Sequence, residues 1–509
     1  MSDSLPVSEG QIQVVDLLIS GGNVVTMSDH LDPVIRNGSV AIRDDRIVDV
    51  GPTDDLRSRV KPRREIDRPK SIIMPGIVDS YAHAGHGMVK GIHHQRFGWA
   101  ANPLFFHATT PDWWRADAEL LALERIKFGV TTGVSVLGAT PARADDPVYA
   151  DSHMAGMKES GIRNILGIGP PDDFIGNQWS ATDWQGGTPR TYNYTFAECE
   201  TTMQSVIAKW HGAESGRMRV CLAIPYLCGL DPQVMSGNHH YRYSPEDKKL
   251  LLERALKARQ LADEHRVHIQ THGYRGTLSF GKEVFGMENL KRILGADVFF
   301  AHGHGFTPLD VTIMAESGAN LSWVPLGPRG LDFGPPPIIE LLKEGVDVAI
   351  CSDGAAPFFV SDVFVNIHRA LYLLWQRYSD MSLLPIGKSL RMVTRDAARI
   401  LGMEDEIGSL DPGKKADLIV INTHQPHLTP TVAIPQLLTY YVRGNDVEMM
   451  VVDGQILMED RDVKTLDEAK VLDQAQEEAE RAFSRQGIDL GIYLDMSPGH
   501  WDAWTLSLF

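Results

Sequence analysis

Between about residues 74 and 405 the chain alternates two patterns. Short apolar runs end in glycine, proline or polar residues: MPGIVDS, TTGVSVLG, IRNILGIG, MRVCLAIPYL, RVHIQTHG, DVFFAHG, NLSWVPLG and VDVAICSDG. Between them lie stretches with apolar residues at helical spacing, such as DWWRADAELLALERIKFG and SHMAGMKESG. Nearly continuous apolar runs suit strands covered on both faces, as in parallel sheets. Eight such strands alternating with helices over ~330 residues predict an α/β fold, a distorted (β/α)8 TIM-like barrel, in preference to an open doubly wound sheet. No GxGxxG or GxxxxGKS loop follows any strand, which argues against a nucleotide-binding sheet.

The two ends read differently. DLLISGGNVVTM and GSVAIRDDRIVDVG near the start, and GSLDPGKKADLIVI and VEMMVVDGQILM near the end, are short β-rich runs broken by Gly, Asn, Asp and Pro turns. They predict a small β-sandwich built from both chain ends with the barrel inserted between. The expected division is 1–73 and 406–460 for the sandwich, 74–405 for the barrel and 461–509 for a terminal helix and tail. Residues 1–10 read as a loose tail. The helix LDEAKVLDQAQEEAERAFSRQG should expose its charges, and the aromatic GIYLDMSPGHWDAWTLSLF should pack on the body or on a neighbouring subunit.

Composition narrows the partners. The chain has 509 residues and a formal charge of −17. A general electrostatic footprint for nucleic acid or anionic membrane is missing, so a small-molecule substrate is expected instead. No apolar run approaches the ~18–20 residues that span a bilayer. MSDSLPVSEG has neither the basic start nor the apolar stretch of a secretory signal, so a cytoplasmic location is expected. Cys199, Cys221, Cys228 and Cys351 are too few for a disulfide framework and are expected to be reduced and mostly buried. The unusual number is 19 histidines.

In a barrel, residues at the C-terminal strand ends face one shared site. IVDSYAH ends in His83, VHIQTH in His272, VFFAH in His302 and VAICSD in Asp353. Three imidazoles and a carboxylate on separate strands can converge on one divalent ion. A single histidine after a strand is more often structural; four such residues together point to a metal site.

The motifs in order resemble the amidohydrolase superfamily, in its cytosine deaminase and triazine hydrolase (chlorohydrolase-like) branch. MPGIVDSYAH resembles the first-strand PGxxDxHxH; FGVTTG and SGIR resemble the second and third strand regions. QTH, AHGH and SDG resemble the fifth, sixth and eighth strand ends, and VTRDAARILGMEDEIGSLDPGKKADLIVI the helix and sandwich return. The resemblance covers about residues 15–460. It implies the barrel-plus-sandwich fold and a homo-oligomer. It also implies one divalent ion, zinc first with iron, manganese or cobalt open, held by His83, His272 and Asp353 with His302 binding the ion or polarising substrate. Asp353 would take the proton from bound water and return it to the leaving group.

Two positions depart from the family. Tyr81 stands where the first histidine of HxH belongs, and could ligate the ion, donate to substrate or simply pack. His86, three residues after His83, reads as a pocket or supporting residue. Deaminases of this branch place a glutamate three residues after the fifth-strand histidine; here HGYRG puts Arg275 there, and Glu283 is too distant. Arginine stays protonated and cannot shuttle a proton; it could orient substrate or be a surface charge. Tyr81, His86, Arg275 and His304 are therefore the expected substrate contacts. The fourth-strand run carries no lysine to bridge two ions. The leading expectation is hydrolysis of an acyclic C–N or related C–S bond in an amide, urea, carbamate or thiocarbamate, near the phenylurea and thiocarbamate hydrolases. The alternative is a deaminase or dechlorinase of a nitrogen heterocycle, and a third reading is a scaffold that has lost catalysis.

Overall fold

The computed structural model describes residues 12–94, 98–99, 102–138, 142–171, 175–186, 188–230, 243–325, 333–355 and 360–488. Both terminal tails anticipated from the sequence lie outside them.

Eight parallel strands form the barrel wall in chain order: Ile77–Asp79, Val130–Leu137, Arg163–Ile168, Met218–Ala223, Ile269–Tyr274, Val298–His304, Asn320–Trp323 and Val348–Ile350. Each apolar run named above supplies one strand. Val130–Leu137 is buried at every position, as a strand covered on both faces must be. The wall nearly closes: Ala82 forms a parallel bridge with Asp353, and Asp353 N–H donates to the Tyr81 carbonyl at 3.1 Å.

Local signals set the helices. Helix Pro111–Phe128 starts on Thr110, whose side chain caps the Trp113 N–H, and stops at Gly129 with φ 80°. Gly76, in the PG pair before the first strand, passes directly over Thr131; a Cβ there would lie 2.0 Å from Thr131 Oγ1. Helix Glu468–Gln486 buries Val471, Ala475, Ala479 and Ala482 on one face and packs on Pro111–Phe128. Most of its charged residues face solvent, although Glu478 is buried.

The strands of the chain ends join in a single mixed nine-stranded sheet. Leu418–Asn422 lies antiparallel to Val60–Pro75, which runs parallel to Gln13–Val25. Gly38–Arg43 with Arg46–Pro52, and Val447–Val452 with Gln455–Glu459, are the two hairpins read from the sequence. Buried Arg163, at the start of the third barrel strand, grips Asp417 through two hydrogen bonds of 2.9 and 3.1 Å and also reaches Asp453. This forked charge-assisted contact ties the sheet to the barrel base. Among the described residues no helix is long and apolar enough to cross a membrane.

Candidate active site

Closure of the barrel assembles the site. Asp79 of the first strand accepts from Ser352 N–H at 2.9 Å and from Ser352 Oγ at 2.5 Å. Burial pushes the Asp79 carboxyl up, and Arg125 and Ser352 oppose that. The motif aspartate therefore ties the eighth strand to the first and sets the next residue, Asp353, beside the first-strand end. The Asp353 carboxylate lies 3.3 Å from His83 Nε2.

The strand-end residues do gather. His302 stacks on Tyr274 with ring centres 5.2 Å apart and stands 5.1 Å from His272. His304 is 5.7 Å from His302. It is 1% exposed, and among the described residues neither ring nitrogen has a hydrogen-bond partner. Burial lowers its pKa to about 4, against a weak opposing pull from Asp353, so the ring is neutral near pH 7. His302 and Asp353 adopt φ of 76° and 63°. The left-handed region is costly for side chains other than glycine and is common where function dictates geometry.

Tyr81 is fully buried at the centre of this group. Its hydroxyl lies 2.7 Å from His83 Nε2 and 2.9 Å from His272 Nε2. His83 Nδ1 is 2.6 Å from the Gly138 carbonyl, which can only accept, so Nδ1 carries the hydrogen. The Tyr81 hydroxyl can donate to one of the two Nε2 atoms and accept from the other. Burial, reinforced by the Asp353 charge, pushes the phenol well above its ordinary pKa and keeps it protonated.

His86 stacks on His83 at 4.5 Å, the rings nearly parallel, and on Phe105 at 6.1 Å. Gly354 makes room for it: a Cβ there would fall 1.7 Å from His86 Nδ1. Arg275 is exposed and donates to the Phe333 carbonyl at 2.8 Å. Glu283 pairs with Lys248 on the surface. Phe105 and Trp323 are buried. The side chains of Trp99, His93 and His94, and all of Phe358, lie outside the described residues. The cysteines are free and buried, and burial pushes the thiols of Cys199, Cys221 and Cys228 up to about 12.

Two aromatic neighbours were missed. Tyr226 meets His272 edge-on at 5.8 Å, and Tyr274 meets it at 6.2 Å. Tyr226 lies three residues past the fourth strand, Met218–Ala223, inside the run MRVCLAIPYL, so extending the strand-end rule into the following turn would have found it.

Comparison with known proteins adds the following. A sequence profile described as "Amidohydrolase family" matches residues 72–457. A 5'-deoxyadenosine deaminase of Methanosarcina mazei is 27% identical over 480 residues, 93% of this chain and 99% of that protein. A 5-methylthioadenosine/S-adenosylhomocysteine deaminase of Moorella thermoacetica is 29% identical over 470 residues, 89% of this chain and 97% of that protein. An adenosine deaminase structure from Xanthomonas campestris with bound zinc superposes with a TM-score of 0.75 at 21% identity, covering 93% of this chain and all of the other. An atrazine chlorohydrolase from Arthrobacter aurescens TC1 complexed with zinc gives 0.70 at 20% identity, covering 91% and 100%. These two structures share the fold.

Whether the residues fit a zinc ion can be tested on geometry. Two imidazoles on one tetrahedral zinc at ~2.1 Å hold their ring centres about 5 Å apart. The centres of His83 and His272 are 6.5 Å apart, with the Tyr81 hydroxyl between their Nε2 atoms. Among the described residues no three of His, Cys, Asp and Glu are placed to hold an ion. The arrangement does not fit a tetrahedral ion shared by His83 and His272.

Proposed function

The chain belongs to the amidohydrolase family and is a hydrolase of carbon–nitrogen bonds, and from that premise we propose that it removes the exocyclic amino group of an adenine nucleoside altered at the 5' position. The observation that carries this reading is the extent of the match: deaminases of such nucleosides align over 97–99% of their own length. The reading takes up the heterocycle deaminase, the second expectation from the sequence, ahead of the acyclic C–N hydrolase.

The reaction adds water to C6 and breaks the C6–N bond. One proton of that water leaves in ammonia and the other ends on the ring nitrogen. Asp353, beside His83, is the carboxylate suited to carry the first proton. The second needs a carrier that can take it up and release it, which the always-charged Arg275 cannot do; His302, stacked on Tyr274 at the same strand ends, is the candidate. Neutral, buried His304 has both ring nitrogens available for a purine edge. Tyr226 and Tyr274 offer aromatic faces beside His272 and His302.

Arg275 favours one second reading. With no carboxylate at that position, an acyclic amide, urea or carbamate avoids ring-nitrogen protonation altogether. The experiment is a substrate panel: 5'-deoxyadenosine, 5'-methylthioadenosine and S-adenosylhomocysteine against N-aryl ureas and carbamates, with ammonia and arylamine both measured. Ammonia from the nucleosides alone is expected. Arylamine from the ureas, with no ammonia from any nucleoside, overturns the deaminase reading in favour of the second.

A further inference from the structure

We propose that the Tyr81 hydroxyl is this chain's built-in occupant of the position that a divalent ion takes between two histidines. Its consequence is weak divalent-ion affinity that a single substitution, Tyr81→His, restores. The inference concerns the centre alone and does not depend on the substrate class.

Side-chain length is the first support. A tyrosine oxygen reaches about 2 Å farther from its Cα than a histidine Nε2, close to one zinc–nitrogen bond. A tyrosine in place of the first HxH histidine thus sets its oxygen where the ion would lie. The distances agree: 2.7 and 2.9 Å to the two Nε2 atoms are hydrogen-bond lengths, well beyond a bond to metal.

The second support is the spread of the imidazoles. Their ring centres are 6.5 Å apart, so an ion at ~2.1 Å from both would have to lie almost on the line between them. The phenol oxygen, 2.7 and 2.9 Å from the two Nε2 atoms, spans that wider gap from beside the line.

The third support is confinement. Tyr81 packs inside the barrel with Val134, Val136, Phe299 and Ala301, and its ring meets those of His83, His272 and His302 edge-on. Its carbonyl accepts from Asp353 N–H, which holds the residue at the seam where the wall closes. Withdrawing the oxygen requires repacking the barrel interior, where overpacking and voids are both costly.

The test measures zinc, not turnover, so its outcome is separate from that of the substrate panel. Wild type, Tyr81→His and Tyr81→His/His272→Ala are stripped with chelator and titrated with zinc against a chromophoric competitor. Zinc-dependent thermal stabilisation is followed in parallel. Tyr81→His should hold about one zinc at least ~100-fold more tightly than wild type and lose it in the double variant, on the scale of losing a coordinating group. If wild type holds one zinc as tightly as Tyr81→His, and His272→Ala in the wild-type background removes it, the proposal is overturned. Should Tyr81→His fail to fold, wild type against His272→Ala decides. Equally weak zinc binding in both supports the occupant, and one tight zinc lost with His272 refutes it.

Discussion

Two buried polar clusters stand on one barrel wall. Behind the second strand, Ser135 Oγ lies 3.1 Å from His153 Nε2, and His153 Nδ1 lies 3.4 Å from Asp117; Asn164 exchanges hydrogen bonds with Ser135. All four residues are 0% exposed. At the strand ends, His83, His272, His302 and Asp353 are 5–9% exposed. On residue types alone, the rear cluster looks the more catalytic, with a serine, an imidazole and a carboxylate in series. Position reverses that reading. Ser135 sits mid-strand facing helices Pro111–Phe128 and Pro147–Ser160, which carry Asp117 and His153, and its contact with His153 links the wall to its cover. The mouth cluster combines left-handed backbone at two residues with the unpartnered ring of His304. Among the described residues both clusters leave buried polar atoms without hydrogen bonds, His153 Nδ1 and both Asp117 oxygens behind the strand and both His304 nitrogens at its end. What separates them is place: left-handed backbone at a strand end points to a ligand, whereas a mid-strand group covered by helices does not.

The comparison is broken most directly by Asp353→Asn against Ser135→Ala. Asp353→Asn should lower kcat/KM by ~10³-fold, the scale of losing a positioned proton carrier, with the circular dichroism spectrum unchanged. Ser135→Ala should leave kcat/KM unchanged. Full activity in Asp353→Asn would mean the mouth cluster is not the reacting centre.

Next in size is Asp117→Ala. Removing one partner of a fully buried pair leaves the other uncompensated, and unfolding in urea should show a loss of ~3 kcal/mol, with turnover per folded molecule unchanged. A stable but inactive variant would assign the rear cluster to catalysis.

The smallest effect is one of pH. His268 precedes the fifth strand that carries His272, and burial lowers its pKa. The unfolded chain then binds a proton below about pH 6.5 that the folded chain resists, so stability is present above that pH and falls as pH drops. His268→Gln should flatten the acid side of a Tm-against-pH curve between pH 7.5 and 5. An unchanged slope would show that His268 does not contribute.

Much of this was legible in the chain. Barrel strands buried on both faces must be apolar throughout, so their number and order could be read directly, as could Thr110 and Gly129 bounding a helix. Gathering the polar strand ends needed one rule of barrel geometry. Tyr274 was harder to find, because its value lies in a ring face stacked on His302, which is a relation between strands. Arg275 shows the limit from the other side: its motif position left it a substrate contact or a surface charge, and only the structure shows its guanidinium donating to the carbonyl of Phe333, 58 residues away.

Periodicity and turn chemistry are local, and each segment carries them wherever it lies. They were enough for the class of fold, the strand order and the residues that end each strand. What the Tyr81 oxygen meets is a different kind of fact. Its place between His83 and His272 follows from side-chain length, the seam between Ala82 and Asp353 and the packing of the barrel interior acting together. The same side chain on an open sheet would be an ordinary aromatic. Closure brings residues 191 apart in sequence to within hydrogen-bond distance, so the character of the centre belongs to the tertiary structure.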